Sequence, residues 1–107
     1  MAFELSECNG HLAVSGEMNI YSAETMKNAL LPAVRNRGGD AVLNLAAATE
    51  IDTAGLQVIL MLRRLARACG GRFVLIEPSP SVSEVLEICG LSSAIERSSE
   101  ATAGTYT

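Results

Sequence analysis

The chain has 107 residues, of which 49% are hydrophobic, so one folded domain with a sizeable core is expected. A net charge of −4 disfavours binding to nucleic acid, and 4% aromatic residues without tryptophan disfavour stacking on bases. The opening residues lack the basic and apolar regions of a secretion signal, and the longest apolar run, 58–62, is far shorter than the roughly 20 residues of a membrane span. These features predict a cytoplasmic protein without membrane insertion.

The first part of the chain predicts a hairpin followed by a helix. The turn signal Asn9-Gly10 predicts two antiparallel strands, the second of which ends at Gly16-Glu17. Serine is a residue type that caps helices, so the first helix is expected to begin near Ser22. Tyr21 is expected to pack onto Met26 as a hydrophobic staple.

The central part of the chain alternates buried strands with helices. Short apolar runs over 41–45 and 73–76 predict two buried strands, and 46–50 is interpreted as a connection. Apolar residues at helical spacing predict a second helix from Thr53 to Cys69, which ends at a glycine pair. The dipeptide Ser79-Pro80 predicts the start of a third helix.

The end of the chain completes the predicted fold. Residues 91–95 predict a last short strand or extended segment, and the Ser/Thr/Ala/Gly-rich stretch 98–107 predicts a flexible tail. Two buried strands joined by a helix imply a parallel crossover, whereas the opening hairpin is antiparallel. We therefore predict an α/β domain over 1–97, with a mixed sheet of about five strands flanked by about three helices.

Residue types that support catalysis or metal binding are sparse. His11 is the only histidine, and Cys8 is the only cysteine near it in the sequence, so neither a metal site nor a cofactor is expected. The glycine pairs at 38–39 and 70–71 lack the Lys-Ser/Thr that follows in a phosphate-binding loop. Cys69 and Cys89 lie on apolar helical patterns, which predicts that both are buried. The sequence favours a protein that works by binding and is not an enzyme.

The start of the second helix carries the most functional information. On a helical wheel Gly55 faces the sheet, whereas Thr53 points outward together with Leu56, Leu60 and arginines that include Arg64. A phosphate on Thr53 would meet free backbone N–H groups and the positive end of the helix dipole. Its charge of about −1.5 to −2 would alter the docking of a protein on this surface.

A simpler interpretation of the same residues stays open. Asp52-Thr53 before a helix is a common capping sequence, so Thr53 could act only as a cap. Leu56 and Leu60 could be covered by the N-terminal hairpin, and an arginine run is ordinarily a solvated face.

An ordered set of motifs resembles the STAS domain, the fold of bacterial anti-sigma factor antagonists. The three clearest matches are Val42-Leu43-Asn44-Leu45, Ile51-Asp52-Thr53-Ala54-Gly55-Leu56 and Gly70-Gly71-Arg72-Phe73-Val74-Leu75. Weaker matches are Val14-Ser15-Gly16-Glu17-Met18, Pro78-Ser79-Pro80-Ser81-Val82 and Leu86-Glu87-Ile88-Cys89-Gly90-Leu91. The resemblance extends from about residue 3 to residue 95, nearly the whole chain.

The resemblance implies a phosphorylation switch. In that family a partner serine kinase, which is also the anti-sigma factor, phosphorylates the hydroxyl residue directly after the motif's aspartate. The unphosphorylated antagonist binds the kinase and frees the sigma factor. Carried onto this chain, the phosphoacceptor is Thr53, in a position where serine is usual. The implied partner-binding residues are Asp52, Ala54, Gly55, Leu56, Gln57, Leu60 and Arg64.

Two other branches of the family remain open. Residues 16–24 look like stand-alone STAS proteins found with chemotaxis components, which would imply a different signalling partner. The element 51–56 is also similar to an accessory subunit of an ABC-transporter ATPase in phospholipid trafficking, where Thr53 would act only as a helix cap and contact. All three branches imply a protein partner and no catalysis.

Overall fold

The computed structural model describes residues 2–8 and 10–96, so the predicted tail over 98–107 lies outside the described residues. In chain order the elements are β1 (Glu4–Cys8), β2 (His11–Met18), α1 (Ala23–Arg35), β3 (Ala41–Ile51), α2 (Thr53–Cys69), β4 (Phe73–Ile76), α3 (Pro80–Ile88), a 3-10 turn (Ser92–Ala94) and β5 (Ile95–Glu96). Within these described ranges, no helix combines the length and the apolar character needed to cross a membrane.

The five strands form one mixed sheet in the order β1-β2-β3-β4-β5. β1 and β2 pair antiparallel from Glu4 opposite Ser15 to Cys8 opposite His11, which confirms the predicted hairpin. The other neighbouring pairs are all parallel, because a helix connects β2 to β3, β3 to β4 and β4 to β5. The predicted α/β domain with a mixed five-stranded sheet and three helices is confirmed.

The two central strands are longer than the sequence predicts. β2 continues past Gly16-Glu17 to Met18, and β3 continues through the predicted connection 46–50 to Ile51. Alanine is a weak strand former, so local preference does not signal this half of β3. This half of β3 becomes a strand because it pairs with β2. The pairing continues past two register shifts in β2, one after Ala13 and one after Gly16. As a consequence, both strands end at the same edge of the sheet, where α2 begins.

The core lies between the sheet and the helices. α1 packs against α2, and both α2 and α3 pack against β3. The buried side chains of β2, β3, α1 and α2 include Leu12, Val14, Met18, Leu43, Leu45, Met26, Leu30, Val34, Val58, Ile59, Leu62 and Ala66. The prediction that Gly55 faces the sheet is confirmed, and Val58, Ile59, Leu62 and Ala66 of the same helix are buried with it.

The prediction that Cys69 and Cys89 are buried is wrong, because both are exposed free thiols. Cys69 is the last residue of α2 and precedes Gly70, whose φ of 73° turns the chain away from the helix. Cys89 is the residue that ends α3. A helical wheel continues the apolar stripe to these positions, but it carries no information about whether other residues cover the ends of a helix.

Candidate functional site

The start of α2 lies beside the loop that connects β2 to α1. The two features meet because β2 and β3 are parallel neighbours and end at the same edge of the sheet. The Asp52 N–H donates to the Met18 carbonyl at 3.0 Å and joins the two strand ends directly. Residues 19–22 of the loop and the first turn of α2 therefore form one surface.

Asp52 holds both parts of this surface with its two carboxylate oxygens. Its Oδ1 accepts from the Gly55 N–H at 3.0 Å, and its Oδ2 accepts from the Ile20 N–H at 3.0 Å. The first bond caps α2, since it satisfies one of the N–H groups that a helix leaves unpaired. Asp52 is therefore the cap, and Thr53 is the first helical residue, which corrects the interpretation of Thr53 as a cap.

Gly55 brings α2 into close contact with β2, as the sequence predicts. It is buried, and a Cβ at this position would overlap the backbone carbonyl of Met18. The first turn of α2 consequently lies directly against the end of β2. This packing fixes the direction in which Thr53, two residues earlier, points away from the sheet.

The predicted contact residues differ in exposure. Thr53 and Gln57 are exposed, and Ala54 is half-buried. Leu56 and Leu60 are half-buried and pack against the core, so they are less available than the wheel predicts. The reason is that the wheel places residues relative to the helix axis and ignores what covers its flanks.

Arg64 is separated from the other predicted contact residues. It lies 11 positions after Thr53, which corresponds to roughly 16 Å along the helix axis. It lines a groove between α1 and α2, together with Leu31, Arg35 and Met61. The structure therefore brings the predicted residues 52–57 together and leaves Arg64 at the edge of a different surface.

The loop 19–22 is ordered by its own polar side chains. Ser22 occupies the N-cap position of α1, as predicted, but its side chain forms no capping bond to the helix. Its hydroxyl instead donates to the Glu17 carbonyl at 2.6 Å and accepts from the Asn19 N–H at 2.9 Å. The Asn19 side chain accepts from the Tyr21 N–H at 3.0 Å and donates to the Glu50 carboxylate at 2.8 Å. These bonds tie the loop to both strand ends.

The ordered loop presents two apolar side chains to solvent. Ile20 is 67% exposed and Tyr21 is 92% exposed. The predicted packing of Tyr21 onto Met26 is wrong, because Met26 is fully buried while Tyr21 points away from it. Sequence reasoning missed this pair, and the only signal was an apolar dipeptide between two polar, loop-forming residues. Apolar side chains held outward in this way favour a docking surface.

The start of α2 exposes a hydroxyl group next to backbone N–H groups that can stabilise an anion. Thr53 has an exposed side chain, and the N–H groups of Thr53 and Ala54 have no acceptor within residues 2–8 and 10–96. Such N–H groups at a helix start stabilise a nearby anion. In the same described part of the chain, no group of three or more His, Cys, Asp or Glu side chains is placed to hold a metal ion.

Comparison with known proteins assigns the family. The family model described as "Mlab, STAS domain" matches residues 1–96. The chain belongs to the STAS domain family. This assignment confirms the resemblance inferred from the ordered motifs.

Individual relatives agree with the STAS assignment. BtrV of Bordetella bronchiseptica, named as a candidate anti-sigma factor antagonist, is 32% identical over 110 residues, which cover 99% of this chain and 95% of BtrV. The anti-sigma factor antagonist SpoIIAA in its unphosphorylated form matches with a TM-score of 0.74 and 23% identity, over 90% of this chain and 87% of that one. Phosphorylated Bacillus SpoIIAA matches with a TM-score of 0.70 and 22% identity, over 98% of both chains. The two structures show a shared fold.

Replacing Asp52 should test its role as the cap. Asp52→Ala is expected to lower the free energy of unfolding by about 1–2 kcal/mol, because the Gly55 and Ile20 N–H groups both lose their acceptor. Thr53→Ala should change it by less than about 0.5 kcal/mol, since the side chain is exposed. Urea denaturation measures both values. Equal losses in the two variants would argue against Asp52 as the cap.

Proposed function

We propose that this STAS protein is a non-enzymatic regulator of the anti-sigma factor antagonist type. It docks a partner kinase that is also an anti-sigma factor, or a similar signalling protein, through the loop 19–22 and the first turn of α2. The proposal is supported by family membership and by the name of BtrV. The observation that carries it is the juxtaposition of an exposed Thr53 with the exposed pair Ile20 and Tyr21, linked through Asp52.

Phosphorylation of Thr53 is the proposed switch. The Thr53 hydroxyl oxygen attacks the γ-phosphoryl group of ATP on the partner kinase; the new O–P bond replaces the bond to ADP, and the hydroxyl proton passes to a base of the kinase. The product carries about −1.5 to −2 charge at a position next to Asp52 and close to Ile20. N–H groups at the start of α2 stabilise this charge in the free protein. In the complex the phosphate group must give up its hydration shell next to apolar side chains, and this desolvation cost weakens docking.

Charge substitutions at Thr53 test the switch. Thr53→Glu is expected to weaken binding of the partner kinase about tenfold or more, through the desolvation and repulsion of the added charge. Thr53→Ala should bind like the wild type but accept no phosphate from the kinase and ATP. Affinity capture from cell extract supplies the kinase, calorimetry measures binding, and mass spectrometry locates the phosphate.

A matched control separates local from general charge effects. Ser81 is exposed in the first turn of α3, so Ser81→Glu adds the same charge in the first turn of another helix. It should leave binding unchanged. If Thr53→Glu binds as tightly as the wild type, the switch fails while the docking surface survives. Capture of a transporter ATPase in place of a signalling protein would overturn the anti-sigma proposal itself.

A further inference from the structure

A cavity that is remote from Thr53, and separate from the groove between α1 and α2, is lined by two arginines. Arg63 and Arg67 lie on successive turns of α2, with Cβ atoms about 6 Å apart. With Gly71, Phe73, Gly90 and Ser93 they line a cavity of about 280 Å³ at the end of α2 that is far from the phosphoacceptor. Ten residues of helix, roughly 15 Å, separate Arg63 from Thr53.

Among the residues that the structure describes, the two arginines have no acidic partner. Neither forms an ion pair or a hydrogen bond within residues 2–8 and 10–96, and no carboxylate lines the cavity. Like charges four residues apart on a helix repel each other. The chain has 12 acidic and 8 basic residues, so acidic side chains outnumber basic ones. A shortage of acidic residues therefore does not explain why these two guanidinium groups lack an ion pair among the described residues. Arg35 and Arg64 likewise form no ion pair among the described residues, but the rest of their groove is apolar, whereas the cavity of Arg63 and Arg67 also contains the Ser93 hydroxyl.

The end of α2 does not oppose an anion strongly. The last carbonyls of a helix carry partial negative charge. Here the Gly71 N–H donates to the Ala66 carbonyl at 2.8 Å, and the Gly70 N–H donates to the Arg67 carbonyl at 3.3 Å. Two of the last four carbonyls of the helix are thus paired, and the two guanidinium groups are the only full charges among the residues that line the cavity. The Ser93 side chain, exposed at the cavity wall, adds a hydroxyl donor.

We propose that this cavity binds the phosphate group of a small phosphorylated molecule through Arg63 and Arg67. The planar guanidinium group presents paired N–H donors that match the oxygen atoms of a phosphate. Two such groups on adjacent turns balance the charge of about −1.5 to −2 on a phosphate monoester better than the single charge of a carboxylate. This site shares no residue with the Thr53 surface, so anion binding here can be tested separately from phosphorylation of Thr53.

Titration of the full chain with pyrophosphate tests the proposal. The amide resonances of Gly71, Gly90 and Ser93 in two-dimensional NMR spectra should shift and saturate, whereas sodium chloride of equal ionic strength should leave them in place. Arg63→Gln combined with Arg67→Gln should weaken binding about tenfold or more, because the charge-assisted bonds are lost.

A charge-matched variant controls for general electrostatics. Arg35 and Arg64 line the separate groove between α1 and α2, so Arg35→Gln combined with Arg64→Gln removes the same charge elsewhere. This variant should bind pyrophosphate like the wild type. The proposal is overturned if both double variants weaken binding equally, if sodium chloride reproduces the shifts, or if the shifts grow linearly without saturating. None of these outcomes bears on Thr53 or on the docking of a kinase.

Discussion

Replacing Ile20 and Tyr21 together by alanine is expected to weaken partner binding by about 2–4 kcal/mol, the loss typical of residues at the centre of an interface. Both side chains are well exposed in the free protein, so they contribute little to its core. Tyrosine buries a large apolar ring and keeps a polar end, which makes it a frequent anchor in interfaces. Calorimetry with the captured kinase measures the loss of affinity. The prediction rests on the function proposed above.

A matched substitution on another helix serves as the control. Ile88 is 78% exposed on α3, so Ile88→Ala removes a similar apolar side chain from a different surface. It should leave the affinity unchanged, and thermal denaturation should find both variants as stable as the wild type within about 0.5 kcal/mol. The prediction is contradicted if both variants lose the same affinity, or if the Ile20 and Tyr21 variant loses none. Either result would mean that the partner does not dock on Ile20 and Tyr21.

The same residues allow a test of how the switch acts. If a charge at Thr53 weakens docking by penalising the burial of Ile20 and Tyr21, the two perturbations share one contact. A double-mutant cycle should then give a smaller effect of Thr53→Glu in the alanine background than in the wild type, because perturbations of residues in one contact are not additive. Additive effects would show that the charge acts on another part of the partner.

The sequence predicts those elements whose ends have strong local signals. Helix α2 runs from Thr53 to Cys69 as predicted, because Asp52 is a good capping residue and Gly70 takes up the left-handed conformation that ends a helix. The strand at Phe73–Ile76 is likewise correct, since its apolar residues lie between a glycine pair and a loop. The position of Thr53 at an exposed helix start follows from the same signals.

Other features depend on contacts between distant segments and carry little local signal. The second half of β3 is rich in alanine and becomes a strand through its pairing with β2. The loop 19–22 takes its shape from bonds to Asp52 and Glu50, which are about 30 residues away in sequence. For this reason sequence reasoning found the exposed helix start at Thr53 but missed Ile20 and Tyr21, the apolar part of the same surface.

Gly55→Ala is expected to lower the free energy of unfolding by about 2–4 kcal/mol, although alanine favours a helix by about 1 kcal/mol over glycine. The added methyl group would overlap the Met18 carbonyl, which is backbone in a central strand and cannot rotate away. The same carbonyl accepts from the Asp52 N–H at 3.0 Å, so a shift of α2 would also disturb the cap. The melting temperature should fall by about 10 °C or more.

Gly90→Ala isolates the cost of backbone conformation from the cost of overlap. Gly90 has a φ of 82°, but a Cβ there would meet no atom within 4 Å. This variant should lose only the roughly 1 kcal/mol that a side chain costs in the left-handed region. A Gly55→Ala variant that is as stable as the wild type, or more stable, would mean that α2 moves away from β2 without penalty. In that case the direction of Thr53 would not be fixed by the packing of α2 on the sheet, and the surface that it shares with Ile20 would lose its structural basis.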